Sequence, residues 1–69
     1  MITVEELLLR ANSKNHFNDE QYWSDLVKDM KTFLNEDHPQ EEKVKIGPLG
    51  ALERANMILS GIRYKKANK

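Results

Sequence analysis

Apolar residues recur at intervals of three and four in three separate stretches of the chain, and each stretch opens with the chemistry of a helix start. In the first, Thr3 stands as N-cap and Glu6, three residues on, completes a capping box. Ile2 and Leu7 occupy the two positions of a hydrophobic staple. Val4, Leu7, Leu8 and Ala11 then share one face until the polar run Asn12-Ser13-Lys14-Asn15-His16 interrupts it, which predicts a short helix over about 4–13.

The second stretch repeats this grammar. Asn18 reads as the cap and Gln21 as its N3 partner, Asp19 and Glu20 suit the positive end of the helix dipole, and Phe17 with Tyr22 forms the staple. Tyr22, Trp23, Leu26, Val27, Met30, Phe33 and Leu34 follow on a single broad face, with Glu20, Asp25, Lys28, Asp29 and Lys31 covering the rest. The helix is expected over about 19–36, because Pro39 drives His38 out of the helical region.

Residues 37–47 are expected to form a charged loop. Glu42-Lys43-Val44-Lys45-Ile46 alternates polar and apolar, the pattern of a short extended segment laying Val44 and Ile46 on the core, but a lone strand has no partner in this chain. The third helix is expected over about 48–65, opening at Gly47-Pro48 with Pro48 at N1, where a missing N–H costs nothing; a start nearer Ala51 is the variant. Leu49, Leu52, Ala55, Ile58, Leu59 and Ile62 form its inner face, and Gly50 and Gly61 each weaken it by about 1 kcal/mol relative to Ala. The expected fold is therefore all-α: a single domain of three helices spanning 1–69, with Trp23, Leu26, Met30, Phe33, Leu52, Ile58 and Ile62 at its centre.

Length limits what such a fold can do. A core below roughly 70–80 residues rarely supplies more than ~3–5 kcal/mol, and with 69 residues and no cysteine the chain has neither disulfide nor thiolate–zinc reinforcement. Self-association or a partner is the remaining route, so a homo-oligomer, most simply a dimer, is expected. No apolar run approaches the ~18 residues of a membrane span, and the start Met1-Ile2-Thr3-Val4-Glu5-Glu6 lacks the basic residues of a signal peptide, so a soluble cytoplasmic protein without membrane contact is expected.

The net charge of zero conceals a division. Residues 1–42 hold ten acids and four bases, a net of −6, whereas residues 43–69 hold seven bases and Glu53 alone, a net of +6. Such asymmetry bears on association rather than on fold.

Signatures of catalysis are missing: there is no Gly-rich phosphate loop, no His-x-x-x-His pair and no Ser-centred elbow. His16 and His38 lie in acidic neighbourhoods whose spacing fixes no coordination geometry, and Asp25 and Asp29, one turn apart, read as a solvated helix face. No enzyme, cofactor or metal is expected. Tyr22 and Trp23 have the chemistry to stack bases, but their place at the head of an apolar stripe assigns them to the core.

Two features point to binding. Off the inner face of the third helix, Glu53, Met57, Ser60 and Tyr64 share a stripe, with Leu9 similarly placed on the first helix; Met and Tyr favour contact surfaces, one through adaptability and the other through area with a polar tip. The leading expectation is a non-enzymatic protein-binding module whose contact is carried by Arg54, Met57, Arg63, Tyr64 and Lys65. The alternative is a nucleic-acid binder using Arg63, Lys65, Lys66 and Lys69. Against specific DNA reading stands the segment between the second and third helices, too long for the 3–4-residue turn of a helix-turn-helix. In size and in its lack of catalytic motifs the chain resembles the small proteins of phages and mobile elements that bind and modulate a host protein. That resemblance is one of type and carries no residue across.

Overall fold

The computed structural model describes residues 2–47 and 49–68, and its elements are all helices: three principal ones where the periodicity places them and a short fourth between the last two. In chain order these are α1 (Val4–Ala11), α2 (Glu20–Asn35), α3 (Gln40–Ile46) and α4 (Ala51–Ala67). The molecule is elongated, 42 × 19 × 16 Å, and its most extensive helix packing is between α2 and α4.

Thr3 caps α1 as expected, its hydroxyl accepting from the Glu6 N–H at 3.2 Å. The helix stops at Ala11, two residues earlier than the pattern suggests. Its last carbonyls, which no helix can satisfy internally, are taken up from outside. Asn12 Nδ2 donates to Leu8 O at 3.0 Å, Tyr22 Oη to Arg10 O at 2.7 Å and Arg54 Nε to Ala11 O at 2.9 Å.

The cap of α2 is Asp19 rather than Asn18. Its carboxylate accepts from the Tyr22 N–H at 3.1 Å and adds a negative charge at the positive end of the helix. With the register moved by one, Phe17 no longer staples Tyr22; it lies half-exposed, stacked parallel to Trp23 with centroids 6.5 Å apart. The indole itself is wholly buried, and its N–H donates to His16 O at 2.7 Å. This one side chain therefore fills the core and fastens the connection between α1 and α2.

The charged segment 37–47 is not a loop throughout, because Gln40–Ile46 forms two turns of helix. Pro39, with φ −56°, stands where a missing N–H costs nothing, Glu41 and Glu42 lie in the first turn, and Lys43 and Lys45 in the last, so the dipole is complemented at both ends. Residues two apart in a helix point about 200° from each other. Ile46 is consequently buried while Val44 faces outward, instead of both reaching the core as an extended segment would allow.

Helix α4 begins at Ala51, and Pro48, the expected first helical residue, lies outside the described residues. Leu49 stands before the helix and is 94% exposed, not part of the inner face. Gly50 permits the close passage of this turn over α3: a Cβ there would sit 2.4 Å from the carbonyl oxygen of Lys45. The core gathers Val4, Leu7 and Ala11 with Trp23, Leu26, Val27, Met30 and Phe33, closed by Ile46, Leu52, Ala55 and Leu59. Ile58 and Ile62, expected at the centre, pack on its edge half-buried. None of the described helices is long and apolar enough to cross a membrane.

Candidate functional site: the outward face of α4

Helix α4 turns Leu52, Ala55 and Leu59 into the core. At 100° per residue the opposite side carries Met57, Gly61 and Tyr64 within an arc of about 60°. Met57 is 68% and Tyr64 70% exposed, and nothing lies within 4 Å of where a Gly61 Cβ would stand. Met57 is a ridge between two shallow grooves: Gly50, Arg54 and Ile58 line one side, Leu52, Asn56 and Ser60 the other, and Glu53 borders both.

The structure brings part of the expected contact set together and commits part of it elsewhere. Arg54 lines the groove beside Met57, yet its Nε is held by Ala11 O. Arg63 Nε donates to Glu20 Oε2 at 3.1 Å and Lys66 Nζ to Glu20 Oε1 at 3.0 Å, so both cations are clamped onto the first residue of α2. Hydrogen bonding from Lys66, then from Arg63, holds the Glu20 carboxyl below its ordinary value. Lys65 joins no ion pair among the described residues. Lys69 lies outside them.

These contacts answer how the two charged halves meet. Glu20 with Arg63 and Lys66 is a local bond between them rather than wholesale neutralisation. Because α2 and α4 run antiparallel, Glu36, Asp37, Glu41 and Glu42 gather about 24 Å away, at the far end of the 16-residue α2. Lys43 and Lys45 of α3 lie at that same end, and Asp19 and Glu20 share the other end with Arg63 and Lys66, so neither end carries one sign of charge alone.

The remaining chemistry-bearing groups have structural duties. His16 stacks on Tyr22 with centroids 4.0 Å apart and shares a 2.6 Å hydrogen bond with the Ser13 hydroxyl. His38 stacks on Phe33 at 3.8 Å and meets Glu36 at 3.0 Å. Asp29 pairs with Arg10 at 2.8 Å and Asp25 accepts from Gln21 at 2.8 Å, so the two carboxylates serve different neighbours. No group of three metal-type ligands occurs among the described residues.

Two features escaped sequence reasoning. One is the set of cations that α2 brings alongside α4: Lys28 and Lys31 share a groove with Asn56 and Arg63. They are distant in sequence, and only the antiparallel packing joins them. The other is the four-residue connection 47–50 between α3 and α4, short enough for a helix-turn-helix once α3 is recognised. A reading helix presents its N-terminal residues to the bases, whereas here Leu52 is buried, Glu53 is acidic and Arg54 is held by Ala11. The chain matches no family model, no curated protein and no solved structure.

Proposed function

We propose that this protein is a non-enzymatic binding module that engages another protein through the outward face of α4, with Met57 and Tyr64 as anchors and Arg54, Arg63 and Lys65 at its margins. The observation that carries this reading is the pair of large side chains, 68% and 70% exposed, seven residues apart on one face with the small Ser60 and Gly61 between them. Contact surfaces favour adaptable and aromatic anchors flanked by polar groups. In type, this resembles the accessory proteins of phages and mobile elements, and the reading places the protein in the cytoplasm acting on a host protein. A dimer through the same face accords with the small core.

The test is to exchange Met57 and Tyr64 for Ser together and compare capture of host proteins, alongside sedimentation of the unaltered chain at micromolar concentration. Loss of capture, or of a dimer, supports the reading. A stable monomer together with unchanged capture contradicts it.

Nucleic-acid binding through Arg63, Lys65, Lys66 and Lys69 is the second reading, supported by the run of cations at the end of α4 but weakened because Glu20 occupies two of them. It requires affinity that falls steeply between about 50 and 200 mM salt.

A further inference from the structure

Next to the Met57 ridge, α2 and α4 form a groove of about 310 Å³ whose floor is Val27 and Leu59 and whose walls carry Lys28, Lys31, Asn56 and Arg63. Three cations meet there and no carboxylate lines it. Among the described residues the ammonium groups of Lys28 and Lys31 make no hydrogen bond or ion pair, and Arg63 engages Glu20 through Nε alone. Asp25 and Asp29, the acids of α2 nearest these lysines in sequence, are turned to Gln21 and Arg10. Asn56 lines this groove and also the one beside Met57, so the basic wall and the apolar ridge are one continuous surface.

We infer that the partner presents an acidic amphipathic helical segment, whose apolar residues seat against Met57 and Tyr64 and whose carboxylates reach Lys28, Lys31 and Arg63. The inference rests on the protein-binding reading above and names the chemistry of the partner. Helix-in-groove recognition needs apolar anchors at spacings of three, four and seven, and Met57 and Tyr64 supply that span on this side. Complementary charge then sets encounter rate and register. Glu53, the acid bordering the grooves beside Met57, disfavours a carboxylate at that end and so gives the bound segment a direction. A nucleic acid would satisfy the cations but leave the ridge without an apolar counterpart.

The experiment is selection of helical peptides from a displayed random library on the full chain, followed by affinity measurement of one synthetic selected peptide by fluorescence anisotropy. The proposal expects selected peptides with net negative charge and apolar residues three, four or seven apart. It expects binding at least tenfold weaker to Lys28→Glu/Lys31→Glu and unchanged binding to Lys14→Glu, a cation that lines neither this groove nor those beside Met57. Emission of the single tryptophan, buried in the folded chain, verifies that each variant is folded. Neutral or basic selected peptides, an empty selection, or tighter binding of a 20-base single-stranded DNA than of the peptide would overturn it. If binding is lost in Met57→Ser/Tyr64→Ser but survives in Lys28→Glu/Lys31→Glu, the ridge is the binding surface and the acidic partner is wrong; if it survives in both, the binding-module reading falls as well.

Discussion

The Nε of Arg54 donates to the carbonyl oxygen of Ala11 across 2.9 Å, tying α4 to the last residue of α1. Forty-three positions separate the two residues, and the bond satisfies a helix-terminal acceptor from a charged donor. Replacing Arg54 with Met keeps the stem and removes the donor, and should cost about 1–3 kcal/mol. Thermal denaturation followed by circular dichroism should show it, since each kcal/mol moves the midpoint of a domain this size by roughly 4–8 °C. An unchanged midpoint would mean that water replaces the guanidinium without loss.

Trp23 should be the least replaceable residue. Truncation to Ala empties the largest fully buried side chain and strands the His16 carbonyl, at a cost of about 3–5 kcal/mol, comparable to what so small a core supplies. The expected outcome is a chain unfolded at room temperature by circular dichroism.

The glycine that caps the last helix and the one within it should respond in opposite directions. At Gly50 a methyl group meets the Lys45 carbonyl oxygen at 2.4 Å, and Gly50→Ala should destabilise by about 1–3 kcal/mol. At Gly61 a methyl group meets nothing within 4 Å, and Gly61→Ala should stabilise by about 1 kcal/mol through helix propensity alone. Urea denaturation of the pair decides this, and destabilisation by Gly61→Ala would contradict the exposed placement of that face.

Much of the fold is legible along the chain because α1 and α2 are strongly amphipathic and begin at side chains whose capping role depends on local spacing alone. Thr3 is the clean case. Asp19 shows where that legibility ends: Asn18 and Asp19 are both competent caps by local spacing, and Asp19 is the one whose side chain accepts from the helix. Helix α3 was obscured because Lys43-Val44-Lys45-Ile46 alternates like a strand, while its burial depends on Ile46 alone. On α4 the spacing alone separates the outward Met57 and Tyr64 from the buried Leu59, but it does not rank the inner residues, and Ile58 and Ile62 lie at the edge of the core rather than at its centre. Leu49 fits the inner face only if the helix opens at Pro48; with the start at Ala51 it falls outside the helix and is exposed. The cationic groove is a product of tertiary packing and has no sequence pattern of its own.

Acid should loosen the junction between the charged halves. Lys66 and Arg63 hold the Glu20 carboxyl below the ordinary value of 4.5, so between those two values the unfolded chain binds more protons than the folded one. Stability from this group is fully present above the ordinary glutamate value and is lost as pH falls through the lowered one. NMR titration should find Glu20 titrating below the ordinary glutamate value, and Glu20→Gln should remove that part of the acid sensitivity. Normal titration of Glu20 would show that the clamp does not persist in solution.

Apart from Phe17, which stacks on Trp23, four exposed apolar sites among the described residues compete for the role of contact surface: Leu9 on α1, Val44 on α3, Leu49 before α4, and the Met57–Tyr64 pair. The most direct measurement is quantitative capture of host proteins by the unaltered chain, by Met57→Ser/Tyr64→Ser, and by Leu9→Ser, Val44→Ser and Leu49→Ser separately, each read by mass spectrometry. The account predicts that the same partner is retained by the three single variants and lost by the Met57 and Tyr64 double variant. Retention by the double variant, with loss in any of the other three, would contradict it.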